Sequence, residues 1–505
     1  MTTNVTTAVV GTAAAAAARR GRQLDPLTAG LKELTFRELA AAAETLAKTK
    51  VTDGNLWSRL CDRLKPELKS VHLGDALRVV HALAKVPYKK VRCAHYSVTP
   101  LQISLMNVVE KIVLQRHHAV GSRAITQYFI DATRLQYIEP NTFQAVVHSR
   151  IDDLDEFSAF DLCFLLHVAA KLRLADSAII DKVSQEILTN DDKYDIVCKD
   201  KALVAMLIRS LAFLQHRNEL FQKLVYTRLP GYVYVLGPQE MCNVIFSLVV
   251  ALQDEEYGPE VTNIVKVLLD RVATHLHELV DIEVNQLCIS LFNLKHKLRP
   301  FDDKYQALLD NIVTLNMNFP PSTSKMQYKI ARLLDDLKVK HKSEQRIGPY
   351  VMDYILPQLK VAIEVNGYSH FYHQTKDFHS VTRLKYQIVR SLGWKVLSVN
   401  YFDWKNRSRQ IASEHAAGLA AGGVHTNDCV VAALLNAPIA AVLYVVANQL
   451  DNCLIVPENC AVVAMKVRIT LSRQRQRGRY WERRDSRTTN SPKQLLLTSQ
   501  RHLEV

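Results

Sequence analysis

The sequence predicts a mostly α-helical protein, an α-helical repeat solenoid followed by a small α/β domain. Three observations predict it. Apolar residues recur at helical spacing, stripe after stripe, between residues 31 and 298. Proline and glycine are sparse across that stretch and mostly punctuate it. Near residue 350 the pattern changes to two short apolar runs joined by a turn, which read as strands.

Taken in order, residues 1–30 read as a targeting leader with no fold of its own. The first 24 residues hold no acid, an alanine run at 13–18, and Arg19, Arg20 and Arg22. Arg-rich, acid-poor leaders of this kind direct import into mitochondria. A secretory signal places its positive charge before the apolar run, and here the arginines follow it. A disordered alanine-rich leader and a plastid address are the alternatives.

Residues 31–318 read as the repeat array. The stripes lie at 36–46, 76–83, 124–135, 160–172, 202–214, 240–252 and 285–298. Leu203, Leu207, Leu211 and Leu214 form one helical face, and Met241, Ile245, Leu248 and Leu252 another. Successive stripes are roughly 37–50 residues apart, the size of a helix pair in solenoids. Stacked pairs bury a continuous core and present a long surface. Lined with Lys and Arg, that surface can track a nucleic-acid backbone; a protein-docking scaffold is the alternative. His81, His167 and His216 read as ordinary helical histidines, and Phe160, Phe164, Phe213 and Phe246 as core.

Residues 322–410 read as the α/β domain. Pro320 and Pro321 cannot continue a helix, and Ser322, Thr323 and Ser324 supply cap chemistry for a helix over 324–337. Two apolar runs, 350–356 and 360–365, follow around a turn at Pro357-Gln358. Each carries one acid, Asp353 and Glu364. A carboxylate inside a strand is costly to bury unless it is paired, hydrogen-bonded or bound to a cation. Alternation puts Glu364 and Asn366 on one face, and a hairpin could bring Asp353 alongside. Two converging carboxylates suggest a magnesium site for phosphodiester chemistry, or its remnant.

The chain continues with Ile363-Glu364-Val365-Asn366-Gly367, then His370, Thr382, Lys385, Leu392-Gly393, an apolar run at 396–399 and Trp404. In order and spacing this segment resembles the RAP domain, an RNA-binding domain, over roughly residues 322–405. The resemblance implies the fold of PD-(D/E)xK nucleases. There an Asp and a Glu hold the metal, and a Lys two residues after the Glu activates water. Here Asn366 takes the place of that lysine, and an amide cannot act as a general base. Lys385 on the next helix could reach inward, and Glu344 could stand in for a preceding acid. If the site is active, Asp353 and Glu364 are its catalytic, magnesium-binding pair. Otherwise they are hydrogen-bonded remnants, and no cofactor is expected. His370, Lys385, Arg383 and Trp404 are the RNA contacts that the resemblance implies.

Residues 411–505 form a tail of uncertain fold. Residues 430–450 carry no charge and match one membrane span in length, though Asn436, Pro438 and Asn448 interrupt the run. A buried helix or strand pair, or sequence without a defined fold, are the other readings, and no membrane partner is expected. A basic arm at 473–487 holds Arg473, Arg475, Arg477 and Arg479, with Tyr480 and Trp481 beside them. Such arms bind phosphates and stack on unpaired bases; a solvated terminus is the alternative.

Composition agrees with this division. A chain of 505 residues suggests two to four domains. A formal net charge of +14 favours nucleic acid. The nine cysteines include no C-x-x-C pair, which argues against a zinc ribbon and fits reduced thiols. Helical regions ahead of a RAP domain also occur in FAST-kinase-like mitochondrial RNA proteins. The expectation is therefore a mitochondrial RNA-binding protein acting in organellar RNA processing, stability or ribosome assembly. Its partners would be organellar rRNA or mRNA, with mitoribosomal proteins beside them. The alternatives are a metal-dependent RNA endonuclease and a structural organellar subunit that binds mostly protein.

Overall fold

The computed structural model describes residues 34–51, 54–86, 100–298, 300–315, 324–336 and 339–402. The leader with Arg19, Arg20 and Arg22, the Pro320-Pro321 linker, Trp404, the 430–450 run and the basic arm lie outside the described residues. The chain divides into two compact units. The first comprises residues 1–322 together with 346–350 and 369–392; the second comprises 323–345, 351–368 and the residues from 393 onward.

The first unit is built from helix pairs. Its helices are α1 (Phe36–Lys48), α2 (Gly54–Leu64), α3 (Leu73–Lys85), α4 (Pro100–Arg116), α5 (Ser122–Arg134), α6 (Pro140–His148), α7 (Ala159–Leu172), α8 (Ser177–Thr189), α9 (Asp191–Lys199) and α10 (Lys201–Phe213). After them come α11 (Glu219–Lys223), a π-helical stretch at Leu224–Arg228, α12 (Leu229–Tyr232), α13 (Pro238–Ala251), α14 (Pro259–Ala273), α15 (Asp281–Lys297) and α16 (Asp303–Leu315). Helices α1, α3, α5, α7, α10, α13 and α15 pack side by side in sequence order as one layer. Helices α2, α4, α6, α8 and α11 follow one another in a second layer.

Each helix starts and stops for local reasons. Thr35 and Ser158 cap α1 and α7 in reciprocal boxes with Glu38 and Asp161. The Asp200 carboxylate accepts from the first amides of α10. The ends of α1, α5, α7 and α10 share one device. Lys50, Gln136, Arg173 and Gln215 each take the left-handed conformation. The next residue's N–H turns back to the helix: Val51 to Leu46, Tyr137 to Ala132, Leu174 to Ala169 and His216 to Leu211. This is the Schellman closure, with a non-glycine residue at its strained position.

The apolar stripes read from the sequence are the core. Leu203, Leu207, Leu211 and Leu214 are buried, as are Met241, Ile245, Leu248 and Leu252. Polar contacts between neighbouring pairs recur one repeat apart. Arg78 donates to Glu44, Arg123 to Asp161, Lys201 to Glu240 and Arg209 to Asn243. The five described cysteines are buried, and burial pushes the Cys61 and Cys242 thiols up to about 12.

The second unit holds α17 (Lys325–Asp336) and most of a four-stranded sheet. The strands are β1 (Lys342–Ile347), β2 (Tyr350–Leu356), β3 (Val361–Asn366) and β4 (Lys395–Asn400), ordered β1-β2-β3-β4. β2 and β3 are antiparallel, with Tyr354 opposite Ile363. β3 and β4 are parallel, with Glu364 opposite Ser398. Ile330 and Leu334 of α17 share a core with Tyr354, Leu356, Val361, Ile363, Val365 and Val399. Ser324 caps α17 as its sequence suggested, its hydroxyl accepting from the Gln327 amide at 3.1 Å.

A parallel β3–β4 pair needs a crossover, and α18 (Ser380–Ser391) supplies it. Read in the sequence as part of the 322–410 domain, residues 369–392 are compact with the array instead. Leu384 and Ile388 join the array's core cluster. The β1–β2 turn also lies in the first unit. Its Gly348 has φ +57°, and a Cβ there would lie 2.6 Å from Leu392 Cδ1, so only glycine fits.

Candidate nucleic-acid interface

The acids of the sheet are held by the fold. Asp353 precedes the paired stretch of β2. One carboxylate oxygen accepts from the Val365 backbone N–H at 2.6 Å. The other accepts from the Gln327 side-chain amide of α17. The carboxylate thus bridges a strand and a helix. The Tyr354 hydroxyl adds a second tie, donating to the Gln327 carbonyl at 2.8 Å. Burial and the nearby acids push that hydroxyl up to about 12. Glu364 and Asn366 share one face of β3, as alternation requires, and are 4% and 0% exposed. The Asn366 amide donates to Asn400 Oδ1 at 3.1 Å, across the parallel pair.

This set does not fit a divalent-cation centre. Both Asp353 oxygens already accept from amides, and the residue two after Glu364 is a neutral amide. No group of three His, Cys, Asp or Glu converges as a ligand cluster among the described residues.

Of the residues expected to touch RNA, His370, Arg383 and Lys385 sit in the first unit. His379 caps α18, its Nδ1 accepting from the Val381 N–H at 3.2 Å. The Thr382 hydroxyl lies 3.2 Å from His379 Nε2 and 3.5 Å from His370 Nδ1. Burial pushes both imidazoles down to about 4; Lys385 and Arg173 press further on His370, and Arg173 and His370 on His379. Both rings are therefore neutral at pH 7 and can offer hydrogen bonds, not charge. The Lys385 ammonium stands 5.8 Å from the centre of the Tyr350 ring.

The same segment is bonded to the array. The Tyr372 and Ser380 hydroxyls donate to the Phe213 carbonyl at 2.8 and 3.0 Å. The His373 N–H donates to the Arg173 carbonyl at 2.9 Å, and the Arg173 guanidinium to the Ser369 carbonyl. The Gln374 amide donates to Asn141 at 2.8 Å. Arg383, expected as an RNA contact, is half-buried with its guanidinium donating to Gln215 Oε1. That bond ties α18 to the left-handed end of α10, where Gln215 sits.

The array corrects one reading, that of the aromatics, and adds detail on the histidines. His81 and His216 are paired with carboxylates, Asp131 at 2.7 Å and Asp181 at 2.5 Å. His167 has no acid partner among the described residues, and burial pushes it down to about 4. Of the aromatics read as core, Phe246 is buried but Phe160 is 38% exposed and Phe164 and Phe213 are half-buried. Periodicity missed this because α7 is apolar on more than one face.

Residues 363–412 match the family model of the RAP domain. A curated relative, a chloroplastic RAP domain-containing protein of Oryza sativa subsp. japonica, is 30% identical over 84 residues. That alignment covers 17% of this chain and 13% of the relative, so the chain spans only a small part of its length. The match begins within β3 and takes in the crossover and β4, so residues 363–412 of this chain are similar to the RAP domain.

Proposed function

We propose that this chain is an organellar RNA-binding protein that uses its RAP segment and its helical array together. One observation carries the proposal: the segment with His370, Thr382 and Lys385 is docked on the array and shares its core. The net charge of +14 suits an RNA backbone. Lys385 supplies charge for a phosphate, while His370 supplies a hydrogen bond. Trp404 and the arginines at 473, 475, 477 and 479 would extend the contact. The engagement of Asp353 by two amides weighs against an endonuclease.

The relative is described as chloroplastic, which supports an organelle. The Arg-rich leader, without acid over its first 24 residues, favours the mitochondrion. The role would be processing, stabilising or assembling organellar rRNA or mRNA, with mitoribosomal proteins as neighbours. Crosslinking in isolated organelles followed by sequencing of the bound RNA tests this. Recovery of a defined organellar transcript is expected. Recovery of protein crosslinks alone would favour the structural-subunit reading.

A further inference from the structure

The exposed side of α7 carries Phe160, Phe164, His167 and Lys171, spaced to share one helical face. The Phe160 and Phe164 rings are 4.4 Å apart, and the His167 ring stands edge-on to Phe164 at 6.1 Å. On the adjacent helix α10, Arg209 lies over the Phe213 ring at 5.0 Å and donates to Asn243 of α13. Arg123 of α5 lies over Phe160 at 4.7 Å. Three neighbouring helices of one layer thus interleave cations and aromatic faces.

The fold balances some of these charges and not others. Desolvation by its neighbours and then Arg209 lower the Lys171 ammonium, although the residue is exposed. Burial lowers the Arg209 guanidinium too, with the buried Glu283 of α15 as its opposing acid. Asp161 is taken by Arg123 at 2.9 Å. Lys171 and His167 have no carboxylate partner among the described residues. Like charges held near one another, here Lys171 and Arg209, oppose folding, and an anion would relieve them.

We propose that this face of α7 and α10 is a subsite for single-stranded RNA, in which Lys171, Arg209 and His167 hold a phosphodiester and Phe160 and Phe164 stack on the neighbouring bases. Aromatic platforms beside a basic track are what unpaired strands need, and an acidic peptide has no use for the platforms. The proposal rests on the RNA-binding reading and adds the place and strand type.

The test uses the full chain and a fluorescein-labelled 20-nucleotide polyuridine followed by anisotropy. Lys171→Glu and Phe160→Ala alter exposed side chains, and an unchanged Tm verifies that both fold. Lys171→Glu should raise Kd at least about tenfold and lower the salt slope by about 1. Phe160→Ala should raise Kd roughly fivefold or more. RNA carrying 4-thiouridine should crosslink to the peptide containing residues 159–173. Wild-type binding with both variants within twofold of it, and crosslinks elsewhere, would overturn the subsite and leave the broader RNA reading standing. Absence of wild-type binding would sink both. Displacement of RNA by polyglutamate, with Phe160→Ala silent, would assign the face to an acidic protein segment instead.

Discussion

The sheet and the array treat charge in opposite ways. At the sheet, Asp353 sits amid amide donors, and its charge is spent on joining α17 to β3. On the array, the Lys171 and Arg209 cations lie near one another beside the neutral His167, and the buried Glu283 opposes Arg209. The first arrangement stabilises the fold. The second opposes it, and under the proposal above a bound phosphate would relieve it. A chemically suggestive motif can therefore be structural, while an unremarked helix face holds the unsatisfied charge.

Acid should separate the two regions most. His167, His370 and His379, all in the first unit, are pushed from 6.5 to about 4 in the fold. The unfolded chain takes up their protons near pH 6.5, the folded chain only near 4. Stability is then full above about pH 6.5 and declines as pH falls toward 4. Thermal unfolding across that window should show Tm falling. Replacing the three histidines by glutamine should flatten the decline; an equally steep profile would mean that other groups drive it.

Next in size is Asp353→Ala. It strands the Val365 N–H and the Gln327 amide, which costs about 2–3 kcal/mol. Chemical denaturation should show that loss, with the salt dependence of RNA binding unchanged. A lost RNA-cleaving activity with the fold intact would instead place Asp353 in a reaction centre.

A smaller effect is expected from Arg383→Ala, which removes the bond to Gln215 and should cost about 1 kcal/mol. Gln215→Ala should cost more, because its side chain also donates to the Val250 carbonyl at 2.9 Å and accepts from Gln253 at 3.3 Å, and the double variant should cost less than the sum of the two. Full additivity would deny the docking role. The smallest effect belongs to Asn366→Asp. It should not produce magnesium-dependent cleavage in a labelled-RNA assay, because a carboxylate there still leaves the water without its lysine.

Much of this was legible beforehand. The stripe Leu203, Leu207, Leu211, Leu214 was read as a buried face and is one, because leucines at that spacing can face only one way. The strands around Asp353 and Glu364 were legible from their apolar runs. What was hidden depends on partners distant in sequence. Leu384 and Ile388 announce an amphipathic helix, but nothing in their spacing says that the array will cover them. Phe160 and Phe164 look like core because a phenylalanine pair at helical spacing is usually buried. Only the packing of α5, α7 and α10 shows which side stays open.

The left-handed ends of the array helices carry one more consequence. A non-glycine residue in that conformation costs roughly 1 kcal/mol or more, and glycine would remove the strain. Arg173 and Gln215 sit at two such ends, and their side chains grip the RAP segment, with Asn141 of the preceding pair as a third hold. The grip therefore spans consecutive repeats and fixes their phase. A repeat duplicated before Ser122 would lengthen the ribbon and leave the anchor untouched. One inserted between Arg173 and Gln215 would pull the two holds out of step. The molecule is extensible at its amino-terminal end and indexed at the other, like a tape measure hooked at one tip.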